Sequence, residues 1–239
     1  MKQFLQKLRC IDGTALKLIA MISMIADHVG DMFFPDNFWL RFFGRIAMPV
    51  FSFCIAEGYS YTHDRRKYLT RLGCFALISE LPFDLAFSGH LELGHQNIML
   101  TFFLSVLALM LYDKITGKGE KSSALRIVAG CLSVAGMGIA ALLLGADYTF
   151  FAVLTVFLFY VLRKKAHGLR TAAGCCVLSA LRTVGYYSGT ILSLIPLLCY
   201  NGKKGKGLKW LFYIFYPAHL LLLYCISRIL AQLIRRLIP

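Results

Sequence analysis

Nine apolar segments restrict what this chain can become. They lie at roughly 14–34, 38–61, 69–89, 97–112, 124–145, 147–162, 170–186, 188–200 and 209–233. A straight crossing of the hydrocarbon core takes about 20 apolar residues, and most of these runs reach or approach that length. Segments 4, 6 and 8 fall short, so they are expected to be tilted, re-entrant or extended at their ends. Composition points the same way, with 58% of residues hydrophobic and 16% charged. That is too little charge for the surface of a water-soluble domain. The expected fold is all-α, a polytopic integral membrane helix bundle of about nine spans (eight to ten as alternatives), forming one domain over 1–239.

The charges between the segments alternate. Basic clusters precede segment 1 (Lys2, Lys7, Arg9) and follow segment 2 (Arg65, Arg66, Lys67, Arg71) and segment 4 (Lys114, Lys118, Lys121, Arg126). They recur after segment 6 (Arg163, Lys164, Lys165, Arg170) and segment 8 (Lys203, Lys204, Lys206, Lys209). By the positive-inside rule the N-terminus and these loops are expected on the cytoplasmic side of a cell membrane. The basic tail from Arg228 to Arg236 then falls outside, against the rule, and reads as an amphipathic interfacial end. The net charge of +14 is accounted for by these loops, so no nucleic-acid partner is expected. The basic start leads into an apolar run too long for a signal-peptide core, with no small-residue cleavage site, so no cleaved leader is expected. Seven of the eight cysteines sit inside apolar runs, where free thiols behave as small hydrophobes. No Cys/His ligand spacing occurs, and no metal is expected.

Ionisable residues inside the spans mark the candidate site, because charge at membrane depth is costly and normally faces a protein interior or a watery cavity. The first segment carries Lys17, Asp27, His28 and Asp31. Lys17 and His28 are eleven positions apart, which on a helix puts them within about 20° of one face and roughly 16 Å apart along the axis. Asp27 and Asp31 lie at neighbour spacing around His28. The same orientation gathers Arg41, Arg45, Glu80, Asp84, His95, Asn97, Asp147 and Arg182 in the outer half, and sets Glu57 at the depth of Lys17, where the two are expected to pair. Bland readings stand beside these. His28 fits an interhelical hydrogen bond, Arg45 with Glu80 or Asp84 a structural ion pair, and Trp39, Tyr59, Tyr61 and the Phe-rich runs an interfacial belt and packing. Gly44, Gly58 and Gly73 fit close packing, and Pro49, Pro82, Pro196 and Pro217 helix kinks or breaks.

Several stretches together resemble the TraX family of membrane proteins. They are Asp12 to Gly30, Gly44-Arg45-Ile46-Ala47-Met48-Pro49-Val50-Phe51, and Ala56-Glu57-Gly58-Tyr59-Ser60-Tyr61-Thr62. Tyr68, Arg71-Leu72, Ser79-Glu80-Leu81-Pro82-Phe83, Asn97-Ile98, Tyr200-Asn201-Gly202 and Tyr216-Pro217-Ala218-His219-Leu220 continue the likeness to about residue 224. The family's named member acetylates the N-terminus of conjugative pilin. Lys17, ten residues, then His28 also resembles the Arg/Lys-x10-His signature of the acyltransferase family three membrane enzymes, which pass an acyl group from cytoplasmic acyl-CoA to an extracytoplasmic acceptor. Those relatives usually have about ten spans, one more than the segments here.

The residues suit that chemistry on their own terms. Acyl transfer needs a base at the acceptor proton, and His28 is the candidate. Asp27 or Asp31 would orient its ring, and Arg45 or Arg182 would stabilise the oxyanion. Lys17, Glu57 and Arg71 are placed at the acetyl-CoA donor, and Glu80, Asp84, Asn97, Asp147, Arg182 and His219 at the acceptor. The acceptor is a protein amine, a glycan or a lipid. A proton-coupled transporter and a non-catalytic membrane assembly protein are the alternatives, although no inverted repeat supports transport.

Overall fold

The computed structural model describes residues 9–117, 123–180 and 185–237. Among them the chain is helical, and the bridges Ile11↔Tyr200 and Gln96↔Ala146 are isolated pairs outside any strand. In chain order the helices are α1 (Gly13–Phe33), α2 (Phe38–Gly44), α3 (Ala47–Tyr61), α4 (Arg65–Phe87) and α5 (Ile98–Thr116). There follow α6 (Ala124–Leu143), α7 (Thr149–Val161), α8 (His167–Ala180), α9 (Leu194–Leu198) and α10 (Lys209–Leu237). A 3-10 segment, Gly185–Ser193, leads into α9. Among the described residues four stretches are long and apolar enough to cross a membrane: Phe38–Tyr61 taken through its break, Ile98–Thr116, Ala124–Leu143 and Lys209–Leu237. This is a membrane protein.

Short polar side chains start five of the helices, each accepting from an amide that has no partner in the first turn. Asp12 accepts from Thr14 and Ala15, Asn37 from Trp39 and Leu40, Asp64 from Lys67, Asn97 from Met99, and Ser123 from Arg126. The Lys67 amide bonded to Asp64 also holds that exposed carboxyl below the usual carboxylate range.

The second apolar segment differs from its expected single run, because the helix breaks at Arg45–Ile46 between α2 and α3. Pro49 has no N–H to return to the Arg45 carbonyl, and the next helical bond, Val50 to Ile46, is stretched to 3.5 Å. The break frees Arg45 to turn towards α1. The segment at 97–112 extends as a helix to Thr116, whereas the one at 188–200 is a 3-10 turn followed by a five-residue helix.

Helix α3 runs through the middle, packed by α1, α5, α7 and α8, with Val50, Phe53, Ala56 and Tyr59 shut off from the surface. α10 lies along α4 and touches α1, which carries residues late in the chain to the first helix. Where α3, α4, α5 and α7 converge, Asp113 accepts from the Tyr59 hydroxyl (2.9 Å), the Tyr160 hydroxyl (2.7 and 2.8 Å) and Arg65 Nη1 (2.6 Å). A partly buried carboxylate is stabilised by such partners.

Gly44 sets how closely α2 approaches α1, because a Cβ there would collide with the backbone and Cβ of Asp27. Gly44→Ala is expected to push α2 away and lower stability by about 1–3 kcal/mol, read as a lower thermal midpoint in detergent. Gly136, whose Cβ would meet nothing within 4 Å, is the control, and Gly136→Ala should leave the midpoint unchanged or raise it. Equal effects at the two glycines would contradict the close contact.

Candidate functional site

Both ends of α1 carry chemistry. Near its N-terminus, Lys17 lies with its Nζ 4.8 Å from the centroid of the Phe212 ring, and both residues line a cavity of about 760 Å³. Lys204, Lys206, Lys209 and Arg71 line it too, and Glu57 is the one acid among its described lining residues. The loop that supplies the lysines is fastened to the start of α1 through its backbone. The Gly13 amide donates to the Lys203 carbonyl (2.8 Å), the Thr14 hydroxyl to the Lys206 carbonyl (2.8 Å) and the Asn201 amide to the Ile11 carbonyl (2.9 Å). Gly205, at φ +73°, passes so close to the Asp12 carboxylate that a Cβ would strike it. Carbonyls spent on the helix leave the lysine side chains available to the cavity.

The expected pairing of Lys17 with Glu57 is not the contact made. Arg170 on α8 reaches Glu57 with Nη1 at 2.7 Å, and the Tyr200 hydroxyl donates to its other oxygen at 3.3 Å. Arg170 is only 6% exposed, and a guanidinium that deep requires a counter-charge more than the partly exposed Lys17 does.

The deeper lining residues of the cavity include Met24, Phe215 and Tyr216. One helical turn beyond Met24 is His28, and one turn beyond Phe215 is His219. The two imidazoles meet, with Nδ1 of His28 2.9 Å from Nε2 of His219 across 191 positions of sequence. Nδ1 of His219 lies 2.8 Å from the Phe215 carbonyl. Phe87 stands edge-on to His28 at 5.2 Å, and Phe215 lies parallel to His219 at 4.5 Å, so aromatic carbon fixes both rings. His219 is 7% exposed.

Beside this pair is a network of charges. Arg45 Nη2 lies 3.0 Å from Asp27 Oδ1, and Nη1 of Arg45 donates to the Tyr148 hydroxyl at 2.7 Å. Arg41 contacts Asp27 at 3.5 Å and forms a second ion pair with Asp31. Two expectations are corrected here. Arg45 pairs with Asp27 rather than Glu80 or Asp84, because the break before α3 turns it towards α1. Asp27 and Asp31 are engaged by arginines of α2, and the hydrogen-bond partner of His28 among the described residues is a histidine, not a carboxylate. Tyr148 and Thr149 both adopt left-handed backbone, at φ 57° and 46°, an uncommon conformation for residues bearing a Cβ. At Tyr148 it accompanies the hydroxyl that meets Arg45.

Glu80, Asp84 and Asn97 form a neighbouring cluster. Asn97 donates to Glu80 from both its backbone and its side chain, and again to the Ala76 carbonyl at 2.8 Å. Asp84 accepts from the Glu92 amide at 3.0 Å. Oε1 of Glu80 and Oδ1 of Asp84 accept no hydrogen bond among the described residues. Asp147 joins the bundle through its backbone, accepting from the Thr101 hydroxyl and donating to the Gln96 carbonyl. Arg182 lies outside the described residues. The geometry thus brings His28, His219, Asp27 and Arg45 to one end of α1, and Lys17, Glu57 and Arg71 to the cavity at the other. Tyr148 and Asp113 escaped sequence reasoning. Neither sits in a motif: Asp113 is an acid directly after the apolar segment 97–112, and nothing in the sequence around Tyr148 marks its backbone or its partner.

A family model described as TraX protein matches residues 12–227. A probable fimbrial assembly protein FimC (serogroup H1) of Dichelobacter nodosus is 31% identical over 94% of this chain and 99% of its own length. An uncharacterized protein of Rickettsia prowazekii (strain Madrid E) is 35% identical over 37% of this chain and 33% of its own. No solved structure matches.

The ion pairs differ in burial, with 14% of the Asp27 side chain exposed against 45% for Asp31. Removing one partner of a buried pair strands the other charge and costs about 3–5 kcal/mol, whereas an exposed pair contributes about 0–1. Asp27→Ala is therefore expected to lower the thermal midpoint in detergent far more than Asp31→Ala. The reverse order would show that Asp31 anchors α2.

Proposed function

The chain belongs to the TraX family, and from that premise we propose that it is a pilus-related, membrane-embedded acyltransferase. It moves an acyl group, acetyl in our reading, from cytoplasmic acyl-CoA to a hydroxyl or amine at the outer face. The observation that carries the reading is the placement of an imidazole pair just past the deep end of a cavity whose lining includes five basic side chains. The family match and the fimbrial assembly relative support the pilus connection.

In this reading all nine apolar segments cross the bilayer and the N-terminus is cytoplasmic, so the lysine-lined part of the cavity faces the cytoplasm. The phosphates of the donor meet Lys17, Arg71, Lys204, Lys206 and Lys209, while Phe51, Phe212 and Phe215 flank the thioester arm on its way inward. Coenzyme A carries several negative charges and cannot cross hydrocarbon, so the donor enters from this side. At the far end, Nε2 of His28 takes the proton from the acceptor as its oxygen or nitrogen attacks the thioester carbonyl. Arg45, held by Asp27 and Tyr148, is the cation nearest the developing oxyanion. The new acceptor–acyl bond forms as the C–S bond breaks, and the departing thiolate recovers the proton from His28. Glu80, Asp84, Asn97 and Asp147 border the acceptor side. Metal chemistry has no role in the scheme.

A second reading, a non-catalytic assembly protein, takes its support from the name of the Dichelobacter nodosus relative. One experiment separates the two. Inverted membrane vesicles receive radiolabelled acetyl-CoA outside, and label entering the envelope fraction is measured. Wild type should incorporate label and His28→Ala should not, at equal expression and thermal midpoint. Full incorporation by His28→Ala sinks the enzymatic reading.

Lys17→Gln should raise the apparent KM for acetyl-CoA several-fold with little change in maximal rate, and the difference should shrink as salt screens the phosphates. Right-side-out vesicles given the same donor outside should stay unlabelled. Equal labelling from both faces would overturn the orientation.

A further inference from the structure

Resting on the acyltransferase reading, we infer that His219 is the positioning residue for His28, doing the work a carboxylate does in other base-assisted sites. It fixes the tautomer of His28 so that the basic lone pair sits on Nε2. The inference starts from ring geometry. The two imidazole planes lie 9° apart and their centroids are 5.0 Å apart. Their nitrogens approach to 2.9 Å. A centroid separation so much longer than the N···N distance arises when the rings meet edge to edge, with the N–H and the lone pair both lying in the ring planes. That is the arrangement of a good N–H···N hydrogen bond, and face-to-face stacking would not produce it.

The direction of the bond follows from its far end. A carbonyl only accepts, so the Nδ1 of His219 that meets the Phe215 carbonyl at 2.8 Å carries a proton. In the neutral ring this leaves Nε2 of His219 as the lone-pair nitrogen, able to accept but not to donate. Nδ1 of His28 must then be the donor, and the neutral His28 ring bears its own lone pair at Nε2. One backbone carbonyl therefore dictates the protonation of two side chains in series. The order runs from His28 Nδ1–H to His219 Nε2, and from His219 Nδ1–H to the Phe215 oxygen.

This chain of bonds also explains how the site manages without an anion next to the base. Asp27 and Asp31 are occupied by Arg45 and Arg41. When Nε2 of His28 takes up a proton, the positive charge spreads towards His219 and the carbonyl dipole. A neutral partner stabilises that imidazolium less than a carboxylate would, which suits a base that must give the proton back to a leaving thiolate. The parallel Phe215 ring at 4.5 Å from His219 and the edge-on Phe87 at 5.2 Å from His28 resist rotation of either ring out of the common plane. Phe215 is thus double-acting: its carbonyl anchors the relay and its ring borders the cavity.

The test uses the full chain in lipid bilayers with selectively 15N-labelled histidine, alongside the acetyl-CoA labelling of inverted vesicles. Nitrogen spectra, with His28 assigned by comparison with His28→Ala, are expected to show a protonated Nδ1 and a bare Nε2 on His28. His219→Leu should scramble that tautomer and cut the maximal rate on the order of 10²-fold, the usual scale of base assistance, with the apparent KM for acetyl-CoA unchanged. His219→Gln, whose amide oxygen can still accept from His28 Nδ1–H, should keep the tautomer and stay within about tenfold of wild type. The inference is overturned if wild-type His28 carries its proton on Nε2, if His219→Leu keeps the wild-type rate, or if His219→Gln falls as far as His219→Leu. If wild-type vesicles transfer no label, the acyltransferase reading fails while the spectra still decide whether His219 sets the tautomer of His28.

Discussion

The Arg45 guanidinium is the interaction on which the rest of this architecture turns. It is 5% exposed, so its charge has to be met largely by the protein. Asp27 supplies the counter-charge from α1, and Tyr148 supplies a hydroxyl from the turn before α7. To reach both, the chain breaks its second apolar run at Arg45–Ile46, passes a glycine against the Asp27 backbone, and holds Tyr148 at positive φ. None of these three features is favourable alone. Together they let a buried arginine keep its counter-charge, which it would be costly to lose. Three helices are thereby fixed around the stretch of α1 that carries His28.

That dependence explains which parts of the structure can be read along the chain and which cannot. The helix starts at Asp12, Asn37, Asp64, Asn97 and Ser123 obey a local rule, a contest between a short side chain and the first free amides. The common face of Lys17 and His28 was legible, since a regular helix converts eleven positions into a known rise and rotation. The partners of those residues were not. Whether His28 meets Asp27, Asp31 or His219 depends on how α10 lies against α1 and α4, and that packing is settled by contacts spread over the whole molecule. His219 sits in a stretch that resembles the family, yet nothing in its neighbours says which helix it faces. Asp27 looked like a ring orienter from its spacing alone, but spacing along one helix cannot weigh a competing arginine arriving from the next.

The same limit applies to Glu57. A glutamate at the depth of a lysine on a neighbouring segment is a reasonable pair in one dimension. In three, Arg170 is more deeply buried than Lys17 and binds Glu57 at 2.7 Å, leaving Lys17 over the Phe212 ring and along the cavity. Competition between cations for one carboxylate is decided by which of them has less access to water. The Asp113 cluster likewise draws groups from other helices, two tyrosines and Arg65 around a carboxylate that no sequence motif had marked.

What separates the two ends of α1 matters as much as what each contains. Towards the imidazole pair the lining is mostly apolar, with Met24, Ile98, Met99, Phe102 and Phe215, and Tyr216 contributes a hydroxyl. Under the proposed orientation, a polar channel along this path would join the basic loops to the outer half of the bundle and allow protons or ions to leak across a charged membrane. Apolar walls admit a slender organic arm while giving water few partners, so a ligand can span the region that ions cannot. Under the proposed reading, this is why the phosphate-binding cations and the base are set roughly three helical turns apart on α1. The rigid helix fixes that separation, and the apolar stretch between keeps the bilayer sealed while the reacting groups meet at its far end.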